Sequence, residues 1–211
     1  MKKKEESFFK LITQKPWEAS QAILDNEHDG KTLAVSKAKL GVRTIMVVST
    51  VIFSLFVVSY SDRMSIHDWR SLSEPWLLWI NTVILILTSI VFHRAKVLAD
   101  SNEFEKTKNN LLAVGFLTFA FITGQLLVWQ HFVNLGQYAS TNPANAFFYV
   151  FTALHGLHVL GGLYFWAKVT TKLFKNSYNV SKIKHNIELC AIYWHFLLIV
   201  WFVLFCLMVA T

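Results

Sequence analysis

Five long apolar segments divide this chain, and polar or charged stretches separate them. A helix of about 20 apolar residues is long enough to cross a bilayer. The pattern therefore predicts an all-α fold, a polytopic membrane helix bundle with five transmembrane helices over residues 39–211, preceded by a polar tail over residues 1–38. The predicted spans are Leu40–Tyr60, Trp76–Phe92, Leu111–His131, Ala146–Val169 and Ile187–Ala210.

Composition and charge support a membrane protein. The chain is 54% hydrophobic with a mean hydropathy of +0.41, which is too apolar for a soluble domain of 211 residues. Its net charge of +7 is unevenly placed, because all but two of the 20 lysines and arginines fall on one side of a five-span topology. The exceptions are Arg63 and Arg70. The positive-inside rule then places that side, with the N-terminus, in the cytoplasm, so the charge reflects topology and predicts no nucleic-acid partner.

The cysteines and the tail add two expectations. Cys190 and Cys206 are sixteen residues apart on one predicted helix, roughly 24 Å, so they cannot pair with each other. The tail 1–38 has one short apolar cluster and no long hydrophobic region, so we do not expect a cleaved signal peptide. We expect a cytoplasmic tail that lies partly on the membrane surface or on a neighbouring protein.

The remaining polar residues of the first three spans have ordinary structural interpretations. We expect Asn81 and Gln125 to form interhelical hydrogen bonds, and Gly115 and Gly124 to allow close helix approach. Histidines that end a span meet water and need no special role, which is our interpretation of His93 and His131. Residues 93–110 are expected to form a polar cytoplasmic loop. Glu74-Pro75 is expected to start span two, and Asn142-Pro143-Ala144-Asn145 to form a turn before span four.

Spans four and five carry ionisable residues far from their ends. His155 and His158 are three residues apart and share a helix face, as do Glu188 and His195, which are seven apart. His158 is predicted to lie about 15 Å from the cytoplasmic end of span four, and His195 about 10 Å into span five. The two histidines would then lie at similar depth on adjacent antiparallel helices. Insertion scales give a cost of about 2.5–3.5 kcal/mol for a charge at the helix centre, so these four residues are the candidate site.

Three interpretations of this polar cluster are open. The first is structural, with hydrogen bonds locking the two helices together. The second is a haem or metal site built from His155, His158 and His195, although the carboxylate partners of dimetal bundles are missing. The third is a path for protons or polar headgroups that uses Glu188 and the histidines. No Gly-rich phosphate loop, Ser/His/Asp arrangement or Cys-x-x-Cys motif occurs, so nothing in the chain resembles a self-contained enzyme. We assign no residue a catalytic, cofactor-binding or metal-ligating role.

Two motifs carry a family resemblance. One is Phe148–Val159 with Thr152 and His155-Gly156-Leu157-His158; the other is Glu188 followed by Tyr193-Trp194-His195-Phe196 and Trp201. In this order and spacing they resemble subunit III of haem–copper respiratory oxidases, the cytochrome c oxidase subunit III family, in its five-helix bacterial form. The resemblance covers roughly residues 39–211 and leaves out the tail.

The resemblance implies a subunit of a terminal oxidase, in a bacterial inner membrane, whose donor is cytochrome c or a quinol. Such a subunit holds no haem or copper, which belong to partner subunits. It packs against subunit I in a complex with subunit II and other respiratory subunits, binds phospholipid in a cleft, and supports proton uptake. His155, His158, Glu188 and His195 would then be structural or lipid-contacting.

This sequence departs from the family at three places where a carboxylate is common, which are Ser49, Val128 and Leu198. Roles of those carboxylates in proton handling are therefore not transferred to this chain. Two alternatives stay open: an accessory membrane subunit of nitric oxide reductase, and an autonomous haem- or metal-binding membrane protein.

Overall fold

The described part of the chain folds into five long helices. The computed structural model describes residues 37–71, 76–175 and 179–210, and these contain no strand. All five helices are long and apolar enough to cross a membrane, which confirms the predicted all-α, five-span fold. Nearly all of the predicted tail, residues 1–38, lies outside the described residues, so its role stays a prediction. The helices are α1 (Lys37–Met64), α2 (Trp76–Asp100), α3 (Phe104–Asn134), α4 (Pro143–Phe174) and α5 (Val180–Val209).

Helices α2 to α5 form a four-helix ring. Each contacts its neighbours in the order α2, α3, α4, α5 and back to α2. Trp201, Phe148 and Phe132 are among the largest fully buried side chains, and all three belong to one apolar cluster. A second cluster includes Phe92 and Ile187. Burying large side chains away from lipid gives no hydrophobic gain, so close packing and interhelical hydrogen bonds hold the ring together.

Three tryptophans supply such hydrogen bonds. Each donates its indole N–H to an oxygen on a neighbouring helix, at 2.9 to 3.0 Å. A donor that stays unpaired in hydrocarbon costs several kcal/mol, so each bond removes a penalty as well as fixing the register of two helices. The bonds run from Trp129 to Thr152 Oγ1, from Trp201 to Thr82 Oγ1, and from Trp166 to the Leu111 carbonyl.

Glycines let the ring close where a large side chain crosses. A Cβ atom at Gly115 would lie 2.5 Å from the Trp166 ring, and one at Gly124 would collide with Asn81 Oδ1. The predicted close approach at these two glycines is confirmed. Asn81 Nδ2 also donates to Gln125 Oε1 at 3.4 Å, which confirms the predicted interhelical hydrogen bond.

The prediction of a polar loop over residues 93–110 is wrong. Helix α2 continues to Asp100 and α3 begins at Phe104, so the connection is three residues long. These additional turns stay helical because small residues on them, Ala95 and Ala99, are fully buried within the bundle. Hydropathy detects only the part of a helix inside hydrocarbon, and polar turns beyond it are missed.

At the opposite end of the bundle, Asn142 ties two loops together. Its side-chain oxygen accepts from the backbone N–H of Ala144, which caps α4 ahead of Pro143 in the first turn. Its Nδ2 donates to the backbone oxygen of Arg70, in the α1–α2 loop, at 2.6 Å. The expected role of Pro75 at the start of span two falls outside the described residues.

Helix α1 stands apart from the ring. None of its Cα atoms comes within 8 Å of a Cα atom in another described helix. Only 11% of its most apolar stretch is buried, against 33–44% for the other four helices. Side chains on one face bridge the gap to α4: Phe53 packs on His158, and Phe56 and Tyr60 pack on Phe151.

A cleft lies where α1 parts from the ring. It has a volume of about 380 Å³ and is almost wholly apolar. A second groove of similar volume follows α1 along α5, from Thr50 to Val58. We refer to the first of these as the α1 cleft; its lining residues include Val42, Ile45, Gly161, Gly162, Tyr164 and Tyr193.

Candidate functional site

His158 is held on both sides within the chain. Its Nδ1 lies 2.7 Å from the carbonyl of Leu154, and its Nε2 lies 2.7 Å from Ser49 Oγ on α1. A carbonyl only accepts, so Nδ1 carries the proton, and in the neutral ring Nε2 accepts from the serine hydroxyl. Both ring nitrogens are therefore satisfied, and the bond fastens α1 to the ring.

His195 forms a similar pair with a different helix. Its Nδ1 lies 2.5 Å from Ser89 Oγ on α2, and Ser89 is 5% exposed. The ring of His93 lies one helical turn away on α2, with its centroid 6.0 Å from that of His195. His195 is half-buried and His93 is exposed on the outer surface of the bundle.

Charged groups continue this line toward the end of the bundle where α2 meets α3 and α4 meets α5, which we call the basic end. Glu188 on α5 lies 3.8 Å from Lys96 Nζ and 3.6 Å from His185 Nδ1. These groups are about one-third exposed, so the ion pairs are partly solvated and individually weak. We define the α2–α5 seam as Ser89, His93, Lys96, Glu188 and His195.

His155 differs from His158 and His195 in that it is enclosed within the bundle. It is fully buried, and its ring lies between Trp201, at 5.0 Å, and Phe121, at 5.9 Å. Among the described residues neither of its ring nitrogens has a hydrogen-bond partner. An unsatisfied buried polar group costs about 1–3 kcal/mol, so the aromatic contacts hold this ring in place against that penalty.

The four predicted residues are thus spread over three places. His158 pairs with α1, Glu188 and His195 lie in the α2–α5 seam, and His155 is enclosed in the ring. The hydrogen bonds of His158 and His195 run to α1 and α2, because α4 and α5 turn these side chains toward different neighbours. The structural or lipid-contacting role of the four residues stays a prediction. The structure brings no three His, Cys, Asp or Glu side chains together as a possible metal group within residues 37–71, 76–175 and 179–210.

Sequence reasoning missed three of the five residues of the α2–α5 seam. His93 was interpreted as a span end, but α2 continues for seven residues beyond it. Ser89 and Lys96 attracted no interpretation. Their spacing from His93, four residues before and three after, places all three on one helix face, and that spacing was the available signal.

The α4 surface beside the α1 cleft bears a basic patch. Lys168 and Lys172 are exposed there, and Lys168 Nζ lies 4.6 Å from the centre of the Tyr164 ring. Tyr164 also lines the cleft, so the patch and the cleft adjoin. Within the cleft wall, Tyr193 Oη donates to the backbone oxygen of His158 at 3.1 Å.

These features define a class of protein: a multi-pass membrane bundle whose polar groups lie at helix contacts and on its outer surface. Comparison with known proteins makes the class specific. The sequence model of the family described as cytochrome c oxidase subunit III matches residues 11–210. The match begins well before residue 39, so it also covers most of the tail, which the two motifs do not reach.

Individual relatives agree with the family match. Cytochrome c oxidase subunit 3 of Synechocystis sp. is 30% identical over 175 residues, which are 79% of this chain and 72% of that protein. The protein of the same name from Thermostichus vulcanus is 27% identical over 86% of this chain and 94% of its own length. Cytochrome bo(3) ubiquinol oxidase subunit 3 of Buchnera aphidicola is 28% identical over 73% and 79%. The chain belongs to the cytochrome c oxidase subunit III family, as its motifs predicted.

Proposed function

We propose that this chain is the non-catalytic subunit III of a terminal haem–copper oxidase in a bacterial inner membrane. The observation that carries the proposal is the family match over nearly the whole chain. Membership of this family implies association with a subunit I, which is the main partner, and subunit II would belong to the same complex. Haem and copper would be held by those partners. The N-terminus would face the cytoplasm, because all the lysines and arginines of the described residues except Arg63 and Arg70 lie toward the basic end.

Its first role would be to stabilise the catalytic subunit. The four-helix ring supports this role, because glycine contacts and three tryptophan hydrogen bonds make it a close-packed scaffold. A rigid scaffold can hold a neighbouring helix bundle in place without taking part in its chemistry.

Its second role would be to bind phospholipid. The α1 cleft offers an apolar groove for an acyl chain, and the basic patch at its mouth suits an anionic headgroup. Replacing Lys168 and Lys172 by glutamine should lower the anionic phospholipid that copurifies, as measured by mass spectrometry of extracted lipid. Lys182→Gln, an exposed lysine on α5, is the matched control and should leave the lipid content unchanged.

Its third role would be to support proton uptake by the catalytic subunit. The partly exposed Lys96, His185 and Glu188 at the basic end are titratable groups on the side from which protons are taken up. Replacing Glu188 by glutamine should slow proton uptake during turnover of the intact complex, and should leave the haem spectrum unchanged. An unaltered uptake rate would remove this role.

The decisive experiment is a pull-down of the tagged chain in mild detergent. We expect a haem- and copper-bearing partner that reduces oxygen with cytochrome c or a quinol as donor, and both donors should be tried. Recovery with a nitric oxide reductase would favour the neighbouring accessory function, and recovery of the chain alone would contradict the proposal.

The optical spectrum of the chain expressed alone tests the autonomous haem alternative. We expect no Soret band, because His155 is enclosed by aromatic rings and His158 has both nitrogens bonded. A bis-histidyl haem spectrum would contradict the non-catalytic assignment.

A further inference from the structure

The α2–α5 seam leaves imidazole nitrogens unsatisfied on the outer surface of the bundle. Ser89 bonds Nδ1 of His195, but Nε2 has no hydrogen-bond partner in the part of the chain that the structure describes. The same holds for both nitrogens of His93, whose ring contacts the His195 ring. Polar groups in a bilayer must find partners, so this surface requires a covering group from outside the chain.

The depth of His195 decides what kind of group that is. His195 lies seven residues beyond Glu188 along α5, which places it about 10 Å deeper at 1.5 Å per residue. The partly exposed ion pair of Glu188 and Lys96 marks the headgroup level at the basic end. A phospholipid headgroup at that level therefore lies about 10 Å short of His195, and acyl chains form no hydrogen bonds. The covering group must belong to a protein segment that spans the membrane.

The charges of the seam narrow the chemistry of that segment. Glu188 is already paired with Lys96 and His185, so the carboxylate at the basic end is matched within this chain. The unmatched groups are the two inner imidazoles. Ile90 and Ile192 flank them and are exposed, which gives the seam an apolar border suited to a helix surface.

We propose that the α2–α5 seam is the docking surface for a transmembrane helix of the catalytic subunit I, which places a hydroxyl, amide or carboxyl group against His195 and His93. This inference rests on the proposed function and adds the surface through which the two subunits meet. The α1 cleft, by contrast, is left to lipid.

Site-specific photocrosslinking in the intact complex tests the proposal. The crosslinker p-benzoylphenylalanine is placed at Ile192, on the seam, in a tagged chain that is purified with its oxidase. The matched control is the same crosslinker at Phe116 on the outer face of α3, which is 75% exposed against 36% for Ile192. Accessibility alone therefore favours the control position.

We expect an adduct with the catalytic subunit from position 192 and at least tenfold less of it from position 116. A second seam position, Ile90, should give the same adduct if the Ile192 variant assembles poorly. Lipid adducts alone from both seam positions in an assembled complex would overturn the proposal, and so would an adduct with another subunit. If the unmodified chain is recovered without any oxidase, the proposed function fails first and the docking surface fails with it.

Discussion

Two serine–histidine pairs join helices of this bundle, and they differ in how many ring nitrogens of the histidine are hydrogen-bonded within the chain. Ser49 and the Leu154 carbonyl occupy both nitrogens of His158, so that contact is complete within the chain. Ser89 occupies one nitrogen of His195 and leaves the other facing outward beside His93. The Ser49–His158 pair thus serves internal assembly. The Ser89–His195 pair, made of the same residue types, leaves a surface for another protein.

The difference arises from helix rotation rather than from composition. His158 faces α1, a helix of the same chain, because α4 turns that side away from the ring. His195 faces α2 at the outer surface of the bundle. An ionisable residue inside a span is thus not informative alone. For a histidine that is partly exposed, its unoccupied hydrogen-bonding atoms distinguish an interface from an internal contact, whereas the enclosed His155 belongs to neither class.

The largest effect is expected when the two outward-facing histidines, His93 and His195, are both removed. Replacing His93 and His195 together by leucine should lower the catalytic subunit that copurifies on the order of a hundredfold, about 2.7 kcal/mol. The partner's polar groups would then be buried without partners, at about 1–3 kcal/mol each. The measurement is the subunit ratio after purification in mild detergent.

His158→Leu is the control for this prediction. It should leave the subunit ratio unchanged while lowering the melting temperature of the isolated chain, because Ser49 loses its acceptor. Turnover of complexes that stay assembled should be retained in both variants. Loss of turnover at normal subunit ratio would instead place chemistry at His93 or His195.

A second prediction compares two neighbouring glycines of α4 that both line the α1 cleft and differ in how closely α5 packs on them. A Cβ atom at Gly162 would lie 2.9 Å from the Trp194 ring and 3.0 Å from the Tyr193 ring, whereas one at Gly161 meets nothing within 4 Å. Gly162→Ala should therefore destabilise the chain by at least about 1 kcal/mol through overpacking. Gly161→Ala should stabilise it by up to about 1 kcal/mol, because alanine favours a helix. Unfolding in a denaturing detergent titration measures both, and equal effects would contradict the packing described here.

The five spans could be predicted because hydropathy responds directly to burial in hydrocarbon. Their ends could not, since the last turns of α2 and the first turns of α3 are polar and lie beyond that region. The close approaches at Gly115 and Gly124 were predictable from residue size alone. The family was also predictable, since its two motifs lie in two continuous stretches.

The partners of the histidines could not be predicted. Ser49 precedes His158 by 109 residues, and Ser89 precedes His195 by 106. A shift of one residue in helix rotation would change either pairing. Similar depth along two adjacent helices, which the sequence does predict for His158 and His195, does not identify the partner of either histidine. Ser49 stands where the family often has a carboxylate, and the structure shows that its hydroxyl bonds His158.

A third and smaller effect is expected when either of the two serines is replaced by alanine. Ser49→Ala and Ser89→Ala should each destabilise the isolated chain by about 0.6 kcal/mol, the average for interhelical hydrogen bonds in membranes. Only Ser89→Ala should also lower the retention of the catalytic subunit, because it frees His195 to turn away from the seam. Both effects are measured on the same purified samples. Equal retention in the two variants would mean that the orientation of His195 does not matter for docking.

The smallest effect is expected where a pair faces water. Asp68 accepts two hydrogen bonds from Arg63, and this contact holds the pKa of Asp68 below its ordinary value of 3.8. The stability that the pair contributes is therefore present above pH 3.8 and is lost as the pH falls through the lowered pKa. Because the carboxylate is exposed, Asp68→Asn should not change the melting temperature measurably at pH 7. A loss of stability at pH 7 comparable to that of Ser49→Ala would show that hydrogen bonds in water and in the bilayer stabilise this chain equally. The predicted difference between this exposed ion pair and the serine–histidine pairs of the bundle would then be wrong.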